Sequence, residues 1–173
     1  VLYDLRNWDR EKLDAINQIP TYAYLVVNVL LDAPVMRDFY DLFLVGDESF
    51  PVDPNDFLLA PRVTDVLRGD YASPVSANRG VLTLYWPMPW SLARFTLIQD
   101  EPWRHYAELL VPQLRHILSL LNIPDSAVRQ VRMTRWGHAM PLAQPNLIAS
   151  GICERAAAPL GKNIRFVNQD NWS

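Results

Sequence analysis

Glycine is scarce in this chain, and its placement excludes one class of chemistry. The 173 residues contain six glycines, Gly46, Gly69, Gly80, Gly137, Gly151 and Gly161, and no two stand close enough for GxGxxG or a P-loop. A dinucleotide needs such a turn so that backbone N–H groups can approach its pyrophosphate. These residues alone therefore supply no pyrophosphate cradle. Cysteine is scarcer still: Cys153 is the only one, which excludes an internal disulfide and favours a reducing, cytoplasmic setting. A lone cysteine with no base beside it in sequence is ordinarily inert. Of the three histidines, His105 and His116 stand roughly 16 Å apart along one predicted helix, so no metal site is expected. Neither sign of charge dominates, and a net charge of -3 gives no electrostatic reason to seek nucleic acid. The longest apolar run, residues 23–31, is interrupted by Asn28 and falls short of the roughly 20 residues a membrane-spanning helix needs.

What is present suits one or more packed layers. Half the residues are hydrophobic, and a chain of this length buries roughly 70% of its unfolded surface. Asp9 followed by REKLDAINQI reads as a capped helix with Leu13 and Ile16 on one face and Pro20 as its stop. TYAYLVVNVLL (21–31) is aromatic and β-branched and reads as a buried strand. FYDLFLV (39–45) predicts a second strand, and FPVDPNDF (50–57) a loop. Short strands follow over 62–67, 80–85 and 94–98, joined in part by YWPMPW, which is too rich in proline for a central strand.

Asp100 can cap the next helix, and Pro102 fits its first turn. Trp103, Tyr106, Leu110, Leu114, Ile117 and Leu121 recur there at helical spacing, and Asn122 and Pro124 end it. A strand over 128–136, an irregular passage and a last strand over 163–167 complete the chain. Strands in runs with few interposed helices predict the α+β class: a mixed, largely antiparallel sheet with helices packed on one face.

Chemistry-bearing residues concentrate toward the end. Arg135, Trp136, His138 and Met140 fall within six positions, and Asn168, Gln169, Asp170, Asn171 and Trp172 follow one apolar strand. Polar groups at the mouth of an apolar strand are where α/β proteins hold cofactors. Trp136 either walls a pocket or ends a strand inside the core. Arg135 and His138 either bind an anionic group or serve as a surface ion pair and a structural histidine. Trp86 and Trp90, in the proline-stiffened link, suit an aromatic cavity wall or core filling equally. Asp170 and Asn171 either meet a ligand or turn the chain. Asn28 needs a hydrogen-bond partner if buried. Arg129, Arg132 and Arg135 alternate faces on a strand and make no basic stripe.

The order of the closing segment, Trp136, the Pro145-Asn146 turn, Pro159 and then a short strand, resembles that of flavin-containing amine oxidases and their phytoene-desaturase-like relatives. In that family a strand reading roughly F-A-G-E/D touches FAD with its end. Here Asn168 replaces the glycine, Gln169 aligns with the acidic residue, Asp170 stands one place later, and Asn146 takes the turn glycine's place. The resemblance implies that residues 1–133 form a substrate-binding-like domain and 134–173 a segment returning to an FAD-binding domain. It implies contacts to the cofactor from Trp136, Gln169, Asp170 and Asn171, and to a small-molecule substrate from Trp86, Trp90, Arg135 and His138. FAD belongs to the full-length protein, with none expected on this piece. Catalytic residues and oligomeric state are left open. A start at Val1, and an end at Ser173 without the helix expected after a polar strand end, suit a piece of a longer protein. The alternatives are a stand-alone α+β binding module with an apolar cavity, and a hydrolase using His138 with an unrecognised nucleophile.

Overall fold

In the computed structural model, residues 9–45, 63–71, 78–88, 102–162 and 164–165 are described, with Tyr22, Pro102 and His138 described through their backbone only. The predicted strand over 94–98, the loop over 50–57, the Asp100 cap and most of the strand over 163–167 lie outside them. The chain divides into two compact units: Ala23–His138, and Val1–Tyr22 together with Ala139–Ser173.

The larger unit is organised by the two-residue alternation of TYAYLVVNVLL. In β1 (Thr21–Leu31), Ala23, Leu25, Val27, Val29 and Leu31 are buried while the residues between them are half-buried. β4 (Gly80–Met88) alternates in step, with Leu82, Leu84 and Trp86 opposite Val29, Val27 and Leu25. Matching parity in paired strands puts both apolar sets on one face. β2 (Asp41–Phe43) and β3 (Asp65–Arg68) extend the sheet, and β5 (Val128–Pro141) closes it in the order β2-β3-β4-β1-β5.

The β1–β4, β2–β3 and β3–β4 pairs are antiparallel. The Asp32 N–H donates to the Ala127 carbonyl at one end of β1, and the Leu142 N–H to the Pro20 carbonyl at the other. β5 therefore also runs opposite to β1.

Among the described residues one helix, α2 (Pro102–Leu120), covers the apolar face with Tyr106, Leu110, Leu114, Ile117 and Leu118, joined just past its end by Leu121. Each such side chain contributes roughly 1.5–3 kcal/mol through burial. Trp103, expected in that stripe, is 52% exposed, so the buried face begins one turn later at Tyr106. Asn122 ends the helix in the left-handed conformation at φ 56. Its N–H donates to the Ser119 carbonyl and that of Ile123 to the Leu118 carbonyl, the paired bonds of a Schellman cap. The α+β class is therefore as expected, with the sheet antiparallel in every described pairing.

β4 departs from expectation by running through Trp86, Pro87 and Met88 between two other strands. The register explains why the proline is tolerated. Tyr85 turns its carbonyl toward β3, accepting from the Thr64 N–H at 2.9 Å, and Pro87 faces the same way. β3 starts at Asp65, opposite Tyr85, so the missing N–H of Pro87 costs no ladder bond.

The smaller unit contains α1 (Arg10–Asn17) and a helix inside the passage expected to be irregular, α3 (Ile152–Ala157). Asp9 caps α1 by accepting from the Glu11 N–H at 2.9 Å. The buried face of α1 is not Leu13 and Ile16, however; Ile16 is 38% exposed, while Lys12 and Ala15 are enclosed. The Lys12 Nζ donates to the carbonyls of Ala156 and Ala158, at the C-terminal end of α3. A cation at that end satisfies orphan carbonyls and opposes the helix dipole.

Candidate functional site

The other face of the sheet in the larger unit differs in kind. Register aligns two rows across four strands: Phe43, Asp65, Tyr85 and Val26, and beside them Asp41, Leu67, Thr83 and Asn28. Apart from the exposed Phe43, these side chains are half-buried, whereas the residues alternating with them in β1, β3 and β4 are buried. The same alternation that builds the core thus places polar groups on the opposite face.

Those polar groups are fixed. Thr83 Oγ1 donates to Asn28 Oδ1 at 2.9 Å, which meets the requirement that a part-buried amide find a partner. Asp65 Oδ2 accepts from Thr64 Oγ1 at 2.7 Å. Tyr24 and Tyr85 meet edge-to-face, their ring centroids 6.3 Å apart at 78°, the arrangement favoured by the ring quadrupoles. Asp41 stands out because its Oδ1 is buried with no hydrogen-bond partner among the described residues. Burial pushes its carboxyl above the ordinary range, the charge of Asp65 adds to this, and the Leu42 amide partly offsets it. A few fixed polar groups in an aromatic and aliphatic surface can orient a small molecule while its apolar parts lose water.

The sequence-predicted residues are scattered relative to this face. Trp86 lies wholly inside the core, its ring 5.9 Å from Tyr106 and nearly perpendicular to it. Its Nε1 has no hydrogen-bond partner among the described residues. Trp136 is 52% exposed on β5, with exposed Arg135 before it; as neighbours on a strand they point to opposite faces. His138 is described only as part of β5, and Trp90, Gln169, Asp170 and Asn171 lie outside the described residues. The expected meeting of Trp136 with residues 168–172 lies outside the described residues as well. Cys153 is buried in the smaller unit. The readable signal for the sheet face was parity: Tyr24, Val26 and Asn28 share one side of an alternating strand, but Asp41 and Asp65 join them only through register.

No known family profile and no curated protein matches the chain. Among solved structures, it is similar to a putative protoporphyrinogen oxidase from Exiguobacterium sp. 255-15. The TM-score is 0.53 at 12% sequence identity, over 88% of this chain and 29% of that one. At this identity the likeness is one of fold, and the chain spans under a third of that protein's length. No described helix is long and apolar enough to cross a membrane.

Proposed function

We propose that this chain is the substrate-binding part of an FAD-dependent oxidoreductase of the amine-oxidase-like superfamily, and that its half-buried sheet face walls the substrate cavity. The observation that carries this reading is the fold likeness to a putative oxidase over 88% of the chain. The order of Trp136, Pro145-Asn146, Pro159 and the closing strand supports it independently. Aromatic, water-poor surroundings suit hydride transfer to a flavin, and Tyr24, Tyr85, Val26 and Leu67 would supply them. Trp90, Arg135 and His138 would meet the substrate. Trp86 would act from the core, by holding β4 beneath Tyr85.

The described residues do not form a pyrophosphate cradle. Of the glycines with positive φ, Gly151 precedes a helix of only six residues and Gly161 follows a single β-bridge residue. Neither closes a strand–turn–helix phosphate cradle. The pyrophosphate must be held elsewhere in a parent protein, with Trp136, Gln169, Asp170 and Asn171 at the cofactor's edge, and no chemical step is assigned to these residues. The missing cradle equally suits a stand-alone binding module.

Expression of the complete reading frame containing residues 1–173 separates the two readings. The parent should purify with stoichiometric FAD and the 1–173 chain without it. Asp170→Ala in the parent should weaken FAD binding about ten- to a hundredfold, the cost of roughly 1.5–3 kcal/mol for a hydrogen bond to a charged group. A flavin-free parent, or a yellow 1–173 chain, would refute the proposal. Unchanged FAD affinity in the variant would return Asp170 to the role of a turn residue.

A further inference from the structure

β2 is the edge of the sheet and only three residues long, paired with β3 through Asp41, Leu42 and Phe43 opposite Leu67, Val66 and Asp65. Two backbone bonds lengthen the ladder, from the Arg68 N–H to the Tyr40 carbonyl at 3.0 Å and from the Leu44 N–H to the Thr64 carbonyl at 2.8 Å. So short a ladder is sensitive to a single unfavourable side-chain pair, because one cross-strand contact is worth roughly 0.2–1 kcal/mol.

The register supplies such a pair. Asp41 and Asp65 lie on the same face of adjacent antiparallel strands, one diagonal step apart. Asp65 is held as an acceptor by Thr64 Oγ1, while the buried Asp41 Oδ1 has no partner among the described residues. Arg68, three residues past Asp65, is on the opposite face of β3, and Arg37, four residues before Asp41, is exposed. The Arg68 Nε meets Asp70 at 2.9 Å, its guanidinium approaches Asp38 at 3.9 Å, and it lies over the Tyr71 ring. Behind β3, the two rows continue with Thr83 and Tyr85 of β4, neither of which carries a compensating positive charge. Among the described residues, then, the charged group opposing Asp41 on this face is another carboxylate, and two neighbouring carboxylates resist ionising together.

We propose that Asp41 and Asp65 form a proton-operated latch on the edge strand. With Asp41 protonated, the pair carries one charge and β2 stays zipped to β3. Loss of that proton to solvent leaves two like charges on a half-buried face, and β2 loosens from the sheet. Because Asp41 ends the row running through Leu67, Thr83 and Asn28, the latch sets one rim of the half-buried face. This inference stands independently of the flavoenzyme reading, since it needs only the β2–β3 register.

The test is amide exchange of Leu42 and Leu44 in the 1–173 chain across the acidic to neutral range, corrected for intrinsic rates, alongside a carboxyl NMR titration of Asp41. Protection should fall as pH rises through the Asp41 midpoint. The fall should be about tenfold for each unit by which that midpoint exceeds an unperturbed aspartate's. Asp41→Asn should remain protected throughout, and Asp65→Asn should lower the Asp41 midpoint and flatten the profile. Flat protection in the wild-type chain overturns the latch. So does a wild-type profile in Asp41→Asn, or an Asp41 midpoint that ignores Asp65→Asn.

Discussion

Replacing Lys12 by methionine keeps the apolar stem of the side chain and removes only its charged donor. In the native chain Lys12 is 2% exposed, and its Nζ serves two carbonyls, those of Ala156 and Ala158. Hydrogen bonds involving a charged group contribute about 1.5–3 kcal/mol each. Removing the donor also leaves two acceptors with less compensation. Against this stands the cost of burying an ammonium, seen in the direction of its titration: burial lowers the Lys12 pKa, and the nearby Asp9 charge only partly restores it. The nearby Arg155–Glu11 pair, 4.0 Å apart and open to solvent, is too exposed to take over.

The bonds should win by a reduced margin, so Lys12→Met is expected to destabilise the smaller unit by about 2–4 kcal/mol. The sign with pH follows from the lowered pKa. The folded state holds fewer protons than the unfolded chain between the two pKa values, so stability rises with pH across that interval and is lost as pH falls through the folded pKa. The wild-type advantage over Lys12→Met should therefore widen as pH rises toward the titration of a free lysine. Urea unfolding, read through amide exchange in α3 at neutral and alkaline pH, measures both quantities. A variant as stable as wild type at neutral pH, or a gap that narrows as pH rises, would refute the reasoning.

Two further outcomes test the larger unit. Leu114→Ala should cost about 2–5 kcal/mol in urea unfolding, since Leu114 is 7% exposed within the sheet–helix core and truncation leaves a cavity. Gly80→Ala should cost about 1–3 kcal/mol by overpacking, because a Cβ there would lie 2.8 Å from Val35 Cγ2 and 2.9 Å from the Ala33 carbonyl oxygen.

How much of this was legible depends on the range of the signal. β1 and α2 announce themselves because each carries its own period: 11 residues of alternation in one, a repeating apolar stripe across 19 residues in the other. Asp9 and Asn122 were readable as helix ends because their capping chemistry is local. α3 was missed because six residues are too few to show a period. The buried side of α1 was misread because Lys12 counts as polar in any pattern, and only the end of α3, some 144 residues away in sequence, gives its ammonium a reason to be enclosed. Pro87 failed as a strand breaker for a similar reason. Its penalty depends on whether a neighbouring strand extends that far, which is a property of register. The candidate face was half legible: the parity of Tyr24, Val26 and Asn28 lies within one strand, whereas Asp41 and Asp65 meet only when β2 pairs with β3.

That division also indicates where function can reside in the larger unit. On the helix-covered face nearly every described side chain is apolar, and an orphan polar atom among them, Trp86 Nε1, is enclosed by the core. A substitution there is felt first as packing, so loss of activity in a Trp86 variant would not by itself reveal a contact with substrate. On the other face, Asn28 and Thr83 bond to each other, and Tyr24 and Tyr85 stack edge-to-face at a surface that is only half-buried. Side chains that stay half-buried while carrying fixed polar groups forgo part of the hydrophobic gain available to an apolar residue. In an antiparallel sheet whose first face already closes a core, the second face is ordinarily the one left open to solvent, and under the proposed function it is the face open to a substrate. The substrate-facing reading therefore attaches to Tyr24, Asn28, Thr83 and Tyr85 more directly than to the buried tryptophan beneath them.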